Sequence, residues 1–470
     1  MTEQAAGGTR TSGLDLHLGH IGRNVRAGLM DAFREAIRSG RLAPGTRLPS
    51  SRVLATDLGL GRNTVVRVYS ELINEGWLTG VHGSGTEVAQ RSAEPAGERE
   101  RPRPPAARPQ LVHNLRPGQP DLSSFPRDEW IRAVKRTVST APFDAFGYTD
   151  PHGRSELREA VARYLARARG LRARADNVVV CSGAAEGLRL VAAALARAGV
   201  TTVAVEEFGL QTQREALVNA GLDAVPIPVD ADGADLSTLD QAPIPGAVLL
   251  TPSHHFPLGV ALHSDRRAAV VDWARRRGTL IIEDDYDGEF RYDRSPVGAL
   301  QCLDHDHVVY MGTASKSLAP GLRLGWLVLP DHVLGSVVGQ KGETEETVGF
   351  VNQLAMTEFI ESGAYDRHIR AMRSQYRRRR QQLVETIGRH SPTARVTGMS
   401  AGLHIVREQL GRTGVELVRR AAREQLVIEP LDLFRHPEST SDRDGVAIGF
   451  AAPSPSGWSG ALDALVRALR

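Results

Sequence analysis

A lysine among hydroxyl residues is the first feature that points to chemistry. Lys316 follows an apolar run, VVYMG, that is typical of a buried strand, and Thr313 and Ser315 precede it closely. A primary amine in this position can form a Schiff base with an aldehyde. A single lysine is more often a surface residue, so this segment alone identifies only a candidate.

An acid and a tyrosine follow another apolar run, in the segment TLIIEDDYD. Asp284, at the end of a buried strand, can hold a protonated pyridine nitrogen and make the ring a better electron sink. Tyr286, two residues later, can donate a hydrogen bond to a phenolate oxygen of the same ring. Acids at strand ends are often structural, so this motif is also weak by itself.

A candidate phosphate site lies in the segment VVVCSGAAEG, between a predicted strand and a predicted helix. The unpaired N–H groups of Gly183, Ala184 and Ala185 at a helix start suit a phosphate. Arg323, seven residues after Lys316, can add a bidentate contact. The three segments together favour one phosphorylated cofactor with an aldehyde.

Alternating strands and helices must position these groups. Amphipathic helices separate short apolar runs, which predicts an α/β fold with a mostly parallel sheet. Ligands of such folds bind at the carboxyl ends of the strands. The predicted strands lie in the segments VVVCSG, TVAVEE, AVPIPV, AVLLTPS, TLIIEDDY and VVYMG.

The first ninety residues have a different pattern. Apolar spacing predicts helices at Gly22–Gly40, Arg52–Leu58 and Asn63–Gly76. Two short strands, Trp77–Thr79 and Thr86–Val88, surround a glycine-containing tip and predict a hairpin. Polar and basic residues collect at the start of the third helix, as in helices that read base edges in the DNA major groove. These residues are Arg62, Asn63, Thr64 and Arg67.

Length and composition agree with two folded parts. A chain of 470 residues is too long for one ordinary core. Residues 90–112 are rich in proline and arginine and poor in large apolar residues, which predicts a linker between a domain at 14–89 and one at 113–470. A linker of about 20 residues can span roughly 60 Å, which would let one subunit's small domain lie against its partner.

Several classes of protein are disfavoured by the sequence. It has no apolar run of membrane-spanning length and no secretory signal at its start, so we expect a cytoplasmic protein with no membrane partner. Cys181 and Cys302 are too far apart to suggest a metal site, and no metal ligands are predicted. The net charge of +3 is only a mild indication of a polyanionic partner.

The segment GRLAPGTRLPSSRVLATDLGLGRNTVVRVYSELINEGWLTGVHGSGTEVA resembles the winged helix-turn-helix of GntR-family regulators. This resemblance implies binding to double-stranded operator DNA. It implies DNA contacts by Arg52, Arg62, Asn63, Thr64 and Arg67, with Arg47 and Ser50 near phosphate and His82 and Gly83 at the wing tip.

Residues 113–470 resemble the fold-type I enzymes that use pyridoxal phosphate, the aspartate aminotransferase superfamily. This resemblance implies a large domain with a mostly parallel sheet and a smaller C-terminal α/β subdomain. The resemblance implies that Lys316 carries the cofactor, with Asp284 at the pyridine nitrogen and Tyr286 at the phenolate oxygen. It implies phosphate contacts by Ser315 and Arg323 and, in the segment FGYTDPHGRSELREA, by Tyr148 from the neighbouring subunit of a homodimer. The two resemblances together, and Phe256 in TPSHHFPLG where the enzymes have asparagine, are typical of the MocR subfamily.

Two departures from the enzymes bear on function. Leu210 in VEEFGLQTQ stands where an aromatic residue commonly stacks on the pyridine ring. In residues 426–450 the only arginines are Arg435 and Arg443, and neither has the context of the arginine that binds a substrate carboxylate. We therefore expect no efficient transamination.

The leading hypothesis is a regulator whose large domain senses pyridoxal phosphate, or an amine or amino acid, through Lys316 and thereby changes promoter binding. The two departures favour the cofactor itself as the signal. One alternative is an active aminotransferase with a vestigial DNA-binding domain. A second is a dimerisation scaffold that no longer binds cofactor.

Overall fold

The computed structural model describes residues 25–81, 85–90, 112–148, 150–240, 244–292, 298–342, 348–408 and 413–470. The chain divides between Arg108 and Pro109 into two compact units. The predicted wing-tip residues His82 and Gly83 and most of the predicted linker lie outside the described residues. No helix in the described ranges is long and apolar enough to cross a membrane.

The described part of the first unit contains three helices followed by a β-hairpin, as the sequence predicts. Its elements are α1 (Val25–Arg38), α2 (Ser51–Asp57), α3 (Arg62–Asn74), β1 (Leu78–Val81) and β2 (Gly85–Val88). The rings of Phe33 and Tyr69 pack edge to face with centroids 5.8 Å apart, which joins α1 to α3. Leu29 and Leu72 are fully buried in the same core. Burial of one apolar face fixes each helix, because that face loses contact with water.

The turn between α2 and α3 sets the direction of α3. The Ser50 hydroxyl accepts a hydrogen bond from the N–H of Val53 at 3.3 Å and caps α2. Gly59 has a φ of +64°, a conformation that glycine adopts at little cost. Tyr69 donates a hydrogen bond to the carbonyl of Pro49 at 2.9 Å, which ties α3 to the segment before α2.

The second unit is an α/β structure. Its described helices are α4 (Arg127–Thr140), α5 (Ser155–Arg169), α6 (Ala184–Arg197), α7 (Gln211–Asn219), α8 (Ser264–Arg277), α9 (Asp331–Val338), α10 (Phe350–Glu361), α11 (Ala364–His390), α12 (Gly414–Arg423) and α13 (Trp458–Leu469). Its described strands are β3 (His113–Asn114), β4 (Val178–Cys181), β5 (Thr202–Glu206), β6 (Asp223–Ile227), β7 (Val229–Asp230), β8 (Gly233–Ala234), β9 (Ala247–Leu250), β10 (Leu280–Asp284), β11 (Val308–Thr313), β12 (Gly325–Val328), β13 (Arg395–Thr397), β14 (His404–Glu408), β15 (Leu426–Val427), β16 (Glu429–Pro430) and β17 (Val446–Gly449).

The main sheet of the described second unit has seven strands in the order β4-β12-β11-β10-β9-β5-β6. Six of them are parallel to one another, and β12 is antiparallel to both of its neighbours. The central strands are buried on both faces, which explains their continuous apolar sequences. The mostly parallel sheet was predicted, whereas β12 was not.

Strand register brings three candidate segments to one edge of the sheet. Asp284 at the end of β10 lies opposite Met311 in β11. Thr313 at the end of β11 and Cys181 at the end of β4 both pair with Gly325 at the start of β12. The turns that follow β4, β10 and β11 therefore leave the sheet on the same side.

A smaller antiparallel sheet, β13-β14-β17-β16, forms the predicted C-terminal subdomain within the described chain. The helix α12 packs against β16 and β17, and α13 packs against α11 and α12. Ile405 and Ile448, opposite each other on β14 and β17, are fully buried under these helices.

Candidate cofactor site and DNA-binding surface

A cavity of about 220 Å³ lies at the carboxyl ends of the main-sheet strands. Nine of the ten residues predicted to bind cofactor line this cavity. They are Gly183, Ala184, Ala185, Asp284, Tyr286, Thr313, Ser315, Lys316 and Arg323. Tyr148 does not line it in the single chain, where its side chain is 90% exposed. The structure thus gathers groups that lie up to 140 positions apart in sequence.

Lys316 lies in the turn after β11 and opens onto the cavity. Protein encloses the amine on its other sides, and this desolvation lowers the pKa of Lys316. Asp284 and Asp287 act in the opposite direction through their charge. A lysine with a lowered pKa is more often in the neutral form that attacks an aldehyde.

Asp284 presents a carboxyl oxygen without a partner. Its Oδ2 atom accepts a hydrogen bond from the side-chain amide of Gln213 at 2.6 Å. Its Oδ1 atom is buried and has no hydrogen-bond partner within the described part of the chain. Burial raises the pKa of Asp284 to about 7, although the Gln213 hydrogen bond lowers it. A positively charged donor in the cavity, such as a protonated pyridine nitrogen, would satisfy Oδ1.

The opposite end of the cavity is suited to a phosphate. Gly183 precedes α6 with a φ of +90°, and the first N–H groups of α6 lack partners within the helix because no earlier turn supplies carbonyls to them. A Cβ atom at Gly325 would lie 2.9 Å from the Cα of Gly183, so this close approach of β12 requires glycine. Arg323 lies beside Gly183 and forms no ion pair in the described structure.

Two hydroxyl groups complete this end of the cavity. The Thr313 and Ser315 hydroxyl oxygens lie 2.9 Å apart, and Thr313 accepts a hydrogen bond from the N–H of Ser315. The pair orients Ser315 in the turn between β11 and Lys316. Apart from Tyr148, the predicted phosphate ligands therefore lie together.

Tyr286 is held by residues of the segment that follows β9. Its hydroxyl lies 3.1 Å from His254 Nδ1, which also lies 2.9 Å from Asp287 Oδ2. Phe256 packs edge to face on the Tyr286 ring at 6.0 Å and lines the cavity. Phe256 thus presents an apolar ring to the cavity, at the position where the resemblance to the enzymes implies an asparagine.

Three residues mark the two departures from the enzymes, and only one of them, Leu210, lies at the cavity. Leu210 borders the cavity, and the aromatic side chain nearby, Phe208, is fully buried with the guanidinium of Arg435 over its ring at 5.4 Å. Arg443 forms an ion pair with Glu408 at 2.8 Å. Neither Arg435 nor Arg443 lines the cavity.

Sequence reasoning missed several residues of the cavity wall. Gln213 and Arg214 reach it from the first turns of α7, and Gly118 reaches it from the segment after β3. Glu206, at the end of β5, accepts hydrogen bonds from the N–H and hydroxyl of Thr251, and burial raises the pKa of Glu206 to about 8. The position of Glu206 at a strand end was a usable signal, whereas Gln213 is recognisable only once the first turn of α7 is placed near the end of β10.

The DNA-contact candidates of the first unit share one property. Most of them are exposed, and none of their arginines forms an ion pair within the described residues. The exposed candidates are Arg47, Ser50, Arg52, Arg62, Asn63 and Arg67. Thr64 is half-buried, and the Ser50 hydroxyl is engaged in the cap of α2. Arg62 and Asn63 occupy the first turn of α3, where a recognition helix contacts base edges.

Comparison with known families matches both units. Residues 26–88 match the family "Bacterial regulatory proteins, gntR family", and residues 112–433 match "Aminotransferase class I and II". The probable rhizopine catabolism regulatory protein MocR of Rhizobium meliloti is 32% identical over 452 residues, covering 91% of this chain and 90% of that protein. The chain belongs to the MocR subfamily of GntR-family regulators.

Other HTH-type transcriptional regulators are similar to this chain over most of their length. The uncharacterized HTH-type transcriptional regulator YdeL of Bacillus subtilis is 32% identical, covering 90% of this chain and 92% of that protein. The pyridoxine biosynthesis transcriptional regulator PdxR of Corynebacterium glutamicum is 31% identical, covering 82% and 84%. These relatives are named as regulators, and the same role is supported for this MocR-type chain.

Solved structures share the fold of the second unit. An archaeal alanine:glyoxylate aminotransferase superposes with a TM-score of 0.68 at 24% identity, covering 75% of this chain and 89% of the enzyme. The α-aminoadipate aminotransferase LysN of Thermus thermophilus superposes with a TM-score of 0.67 at 23% identity, covering 76% and 91%. The fold-type I prediction is confirmed.

Proposed function

We propose that this MocR-type regulator binds operator DNA through its first unit and pyridoxal phosphate in the cavity of its second unit. Loading of the cavity changes the affinity for the promoter. A ligand shifts an equilibrium only when it binds two states with different affinity, so the loaded and unloaded chains must differ in how they present the DNA-binding units.

The buried, unpartnered Oδ1 of Asp284 carries the proposal. An unsatisfied buried carboxyl oxygen is costly, and a cationic ring nitrogen removes that cost. The same cavity holds an amine at Lys316 and a helix start at Gly183. An amine, a carboxyl and an anion site suit the aldehyde, ring nitrogen and phosphate of one ligand.

Each proposed contact uses a residue of this chain. Lys316 would hold the aldehyde carbon, and Tyr286 would orient its ring through a hydrogen bond to the phenolate oxygen. Ser315, Arg323 and the N–H groups of Ala184 and Ala185 would bind the phosphate. When bound, pyridoxal phosphate supplies an electrophilic carbon conjugated to an electron-withdrawing ring.

We propose that pyridoxal phosphate itself is the signal, rather than an amino acid turned over by the cavity. Arg435 and Arg443 are engaged outside the cavity, and Phe256 presents an apolar ring to it. Neither arginine is therefore available in the cavity to bind the carboxylate of an amino acid, which argues against efficient transamination.

We also propose that two chains form a homodimer. Tyr148 is exposed in the single chain, which fits a residue that reaches the neighbouring subunit's phosphate. The length of the linker would allow each DNA-binding unit to lie against the partner subunit.

Purified full-length protein titrated with pyridoxal phosphate tests the cofactor proposal. We expect a yellow absorption band in the wild type and no such band in Lys316→Ala, because that variant lacks the reactive amine. Gel shifts on promoter fragments, with and without cofactor, should show a change in affinity that Lys316→Ala lacks. A wild type that stays colourless at saturating cofactor would overturn the proposal.

A further inference from the structure

The helix α11 carries an unusual run of positive charge. Between Asp366 and Glu385 this helix has no acidic residue. Seven arginines lie in that interval. They are Arg367, Arg370, Arg373, Arg377, Arg378, Arg379 and Arg380.

One face of α11 is committed to the core. Ile369, Met372 and Tyr376 are buried there. Arg379 is buried as well and donates hydrogen bonds to the carbonyl of Ala451 at 2.9 Å and to Asp121 at 3.4 Å. Arg379 therefore has a structural role, and this arginine of the run is not available to a ligand.

The outer face is available. Its five exposed arginines, here called the outer arginines, are Arg367, Arg370, Arg373, Arg377 and Arg378. At 100° per residue they occupy less than half of the helix circumference, and from first to last they span about 16 Å. They form one stripe rather than a scattered set.

The outer arginines lack negative partners within the described chain. Arg367 and Arg373 donate hydrogen bonds only to the carbonyls of Ser362 and Glu289, and Arg378 donates only to the Ser374 hydroxyl. Exposed arginines elsewhere in the second unit often do pair with acids. Examples are Arg163 with Glu361 at 2.5 Å, Arg167 with Asp366 at 2.5 Å and Arg174 with Asp331 at 2.7 Å.

We propose that the outer arginines of α11 bind the sugar-phosphate backbone of duplex DNA, as a second contact surface separate from the helix-turn-helix. Duplex DNA presents about five phosphates per strand over 16 Å of its axis, so the five outer arginines match the charge of one strand. Guanidinium groups without carboxylate partners bind phosphate by releasing counterions, and they lose no ion pair in doing so. A chain with a GntR-type unit already brings duplex DNA to the protein.

The contact is sequence-independent, because an exposed helix face that meets only phosphates reads no base edges. Its effect is to hold DNA that flanks the operator. Such contacts strengthen binding most at low salt and make it more sensitive to salt.

Matched double variants of the full-length protein test this proposal. Arg370→Gln/Arg377→Gln removes two outer arginines, and Arg197→Gln/Arg276→Gln removes two exposed arginines on α6 and α8 that also lack ion pairs in the described structure. Affinity for a random-sequence duplex of about 60 base pairs is measured from 50 to 200 mM salt. We expect the α11 variant to bind about tenfold more weakly at 50 mM, with a log–log salt slope shallower by about 1 to 2.

The control variant should retain the wild-type affinity and slope, and Arg370→Lys/Arg377→Lys should recover most of the binding because it keeps the charge. Equal behaviour of the two glutamine variants would overturn the proposal. A loss seen only on vesicles of anionic lipid, with duplex binding unchanged, would also overturn it. The cofactor band should be unchanged in all three variants, which separates this result from any failure of cofactor binding.

Discussion

The chemistry of the cavity depends on single side chains, and the buried carboxyl group of Asp284 is one whose protonation depends on pH near neutrality. Burial raises its pKa from 3.8 to about 7, while the Gln213 amide stabilises the ionised form. A cationic ligand at Oδ1 would stabilise that form further. Binding of the cofactor is therefore linked to the loss of a proton from the Asp284 carboxyl group.

The first prediction concerns the pH dependence of stability without cofactor. The unfolded chain ionises this aspartate near pH 4 and the folded chain near pH 7, so the group makes the fold less stable as pH rises through that window. A shift of about 3 units corresponds to at most about 4 kcal/mol. In urea unfolding between pH 4 and pH 8, Asp284→Asn should lose less stability than the wild type.

Asp442→Asn is the control, because Asp442 is exposed and makes no hydrogen bond or ion pair in the described structure. Its pH dependence should follow that of the wild type. Identical pH profiles for Asp284→Asn and Asp442→Asn would contradict the argument from burial.

The second prediction concerns Gln213. Replacing Gln213 by leucine removes the hydrogen bond to Asp284 with little change in size, so the carboxylate should be harder to keep ionised. We expect affinity for pyridoxal phosphate to fall about tenfold, measured by absorption or fluorescence titration. Gln211→Leu on the same helix is the control, since Gln211 is exposed and donates to Glu215 instead. Equal affinities of the two variants would show that Gln213 does not position Asp284.

Among the secondary-structure elements, α3 has the clearest functional consequence. Its buried residues pack against α1, α2 and β1 and leave Arg62 and Asn63 exposed in the first turn. The packing of α3 therefore fixes which side chains can reach a groove.

The third prediction follows from that exposure. Arg62→Ala should weaken operator binding by about 1–3 kcal/mol if the guanidinium contacts a base, and the relative loss should depend on the operator sequence. Gel shifts on operator and mutated operator fragments measure both effects. Arg197→Ala removes an exposed arginine from α6 and should leave sequence preference unchanged. A uniform loss on every fragment would instead assign Arg62 to the phosphate backbone.

Elements also show where sequence reasoning succeeds. The helices of the first unit and the strands β4, β5, β9, β10 and β11 were predicted because burial imposes a readable periodicity or a continuous apolar run. The strand β12 was missed because its short apolar run follows β11 without an α-helix between them, whereas a parallel pattern places a helix between successive strands. Gln213 was missed because it meets Asp284 across 71 positions, a contact that only tertiary packing creates.

On the scale of the whole molecule, the proposed dimer makes each cavity depend on two chains. Tyr148 is 90% exposed in the single chain, so its side chain is available to a partner subunit. A role at the partner subunit's phosphate would bury it and would make cofactor binding and dimerisation mutually supportive.

The fourth prediction uses mixed dimers. A chain with Lys316→Ala is paired with a chain with Tyr148→Phe. If Tyr148 acts across the interface, the cavity that keeps Lys316 receives an intact tyrosine and should bind pyridoxal phosphate with wild-type affinity. The Tyr148→Phe homodimer should bind it several-fold more weakly, by loss of one hydrogen bond. A mixed dimer with the same weakened affinity would place the tyrosine's action within its own chain.

The unpredicted strand β12 has a kinetic consequence. Because Thr313 pairs with Gly325, a single hairpin loop carries both Lys316 and Arg323, and that hairpin is in the interior of the seven-stranded sheet. The amine of Lys316 and the guanidinium of Arg323 thus lie on the same loop. Release of a ligand that both groups hold requires this loop to move. Interior hairpins open rarely. We therefore expect the residence time of a bound ligand to exceed the lifetime of one complex with promoter DNA. The protein would then keep its ligand through several rounds of DNA binding and release.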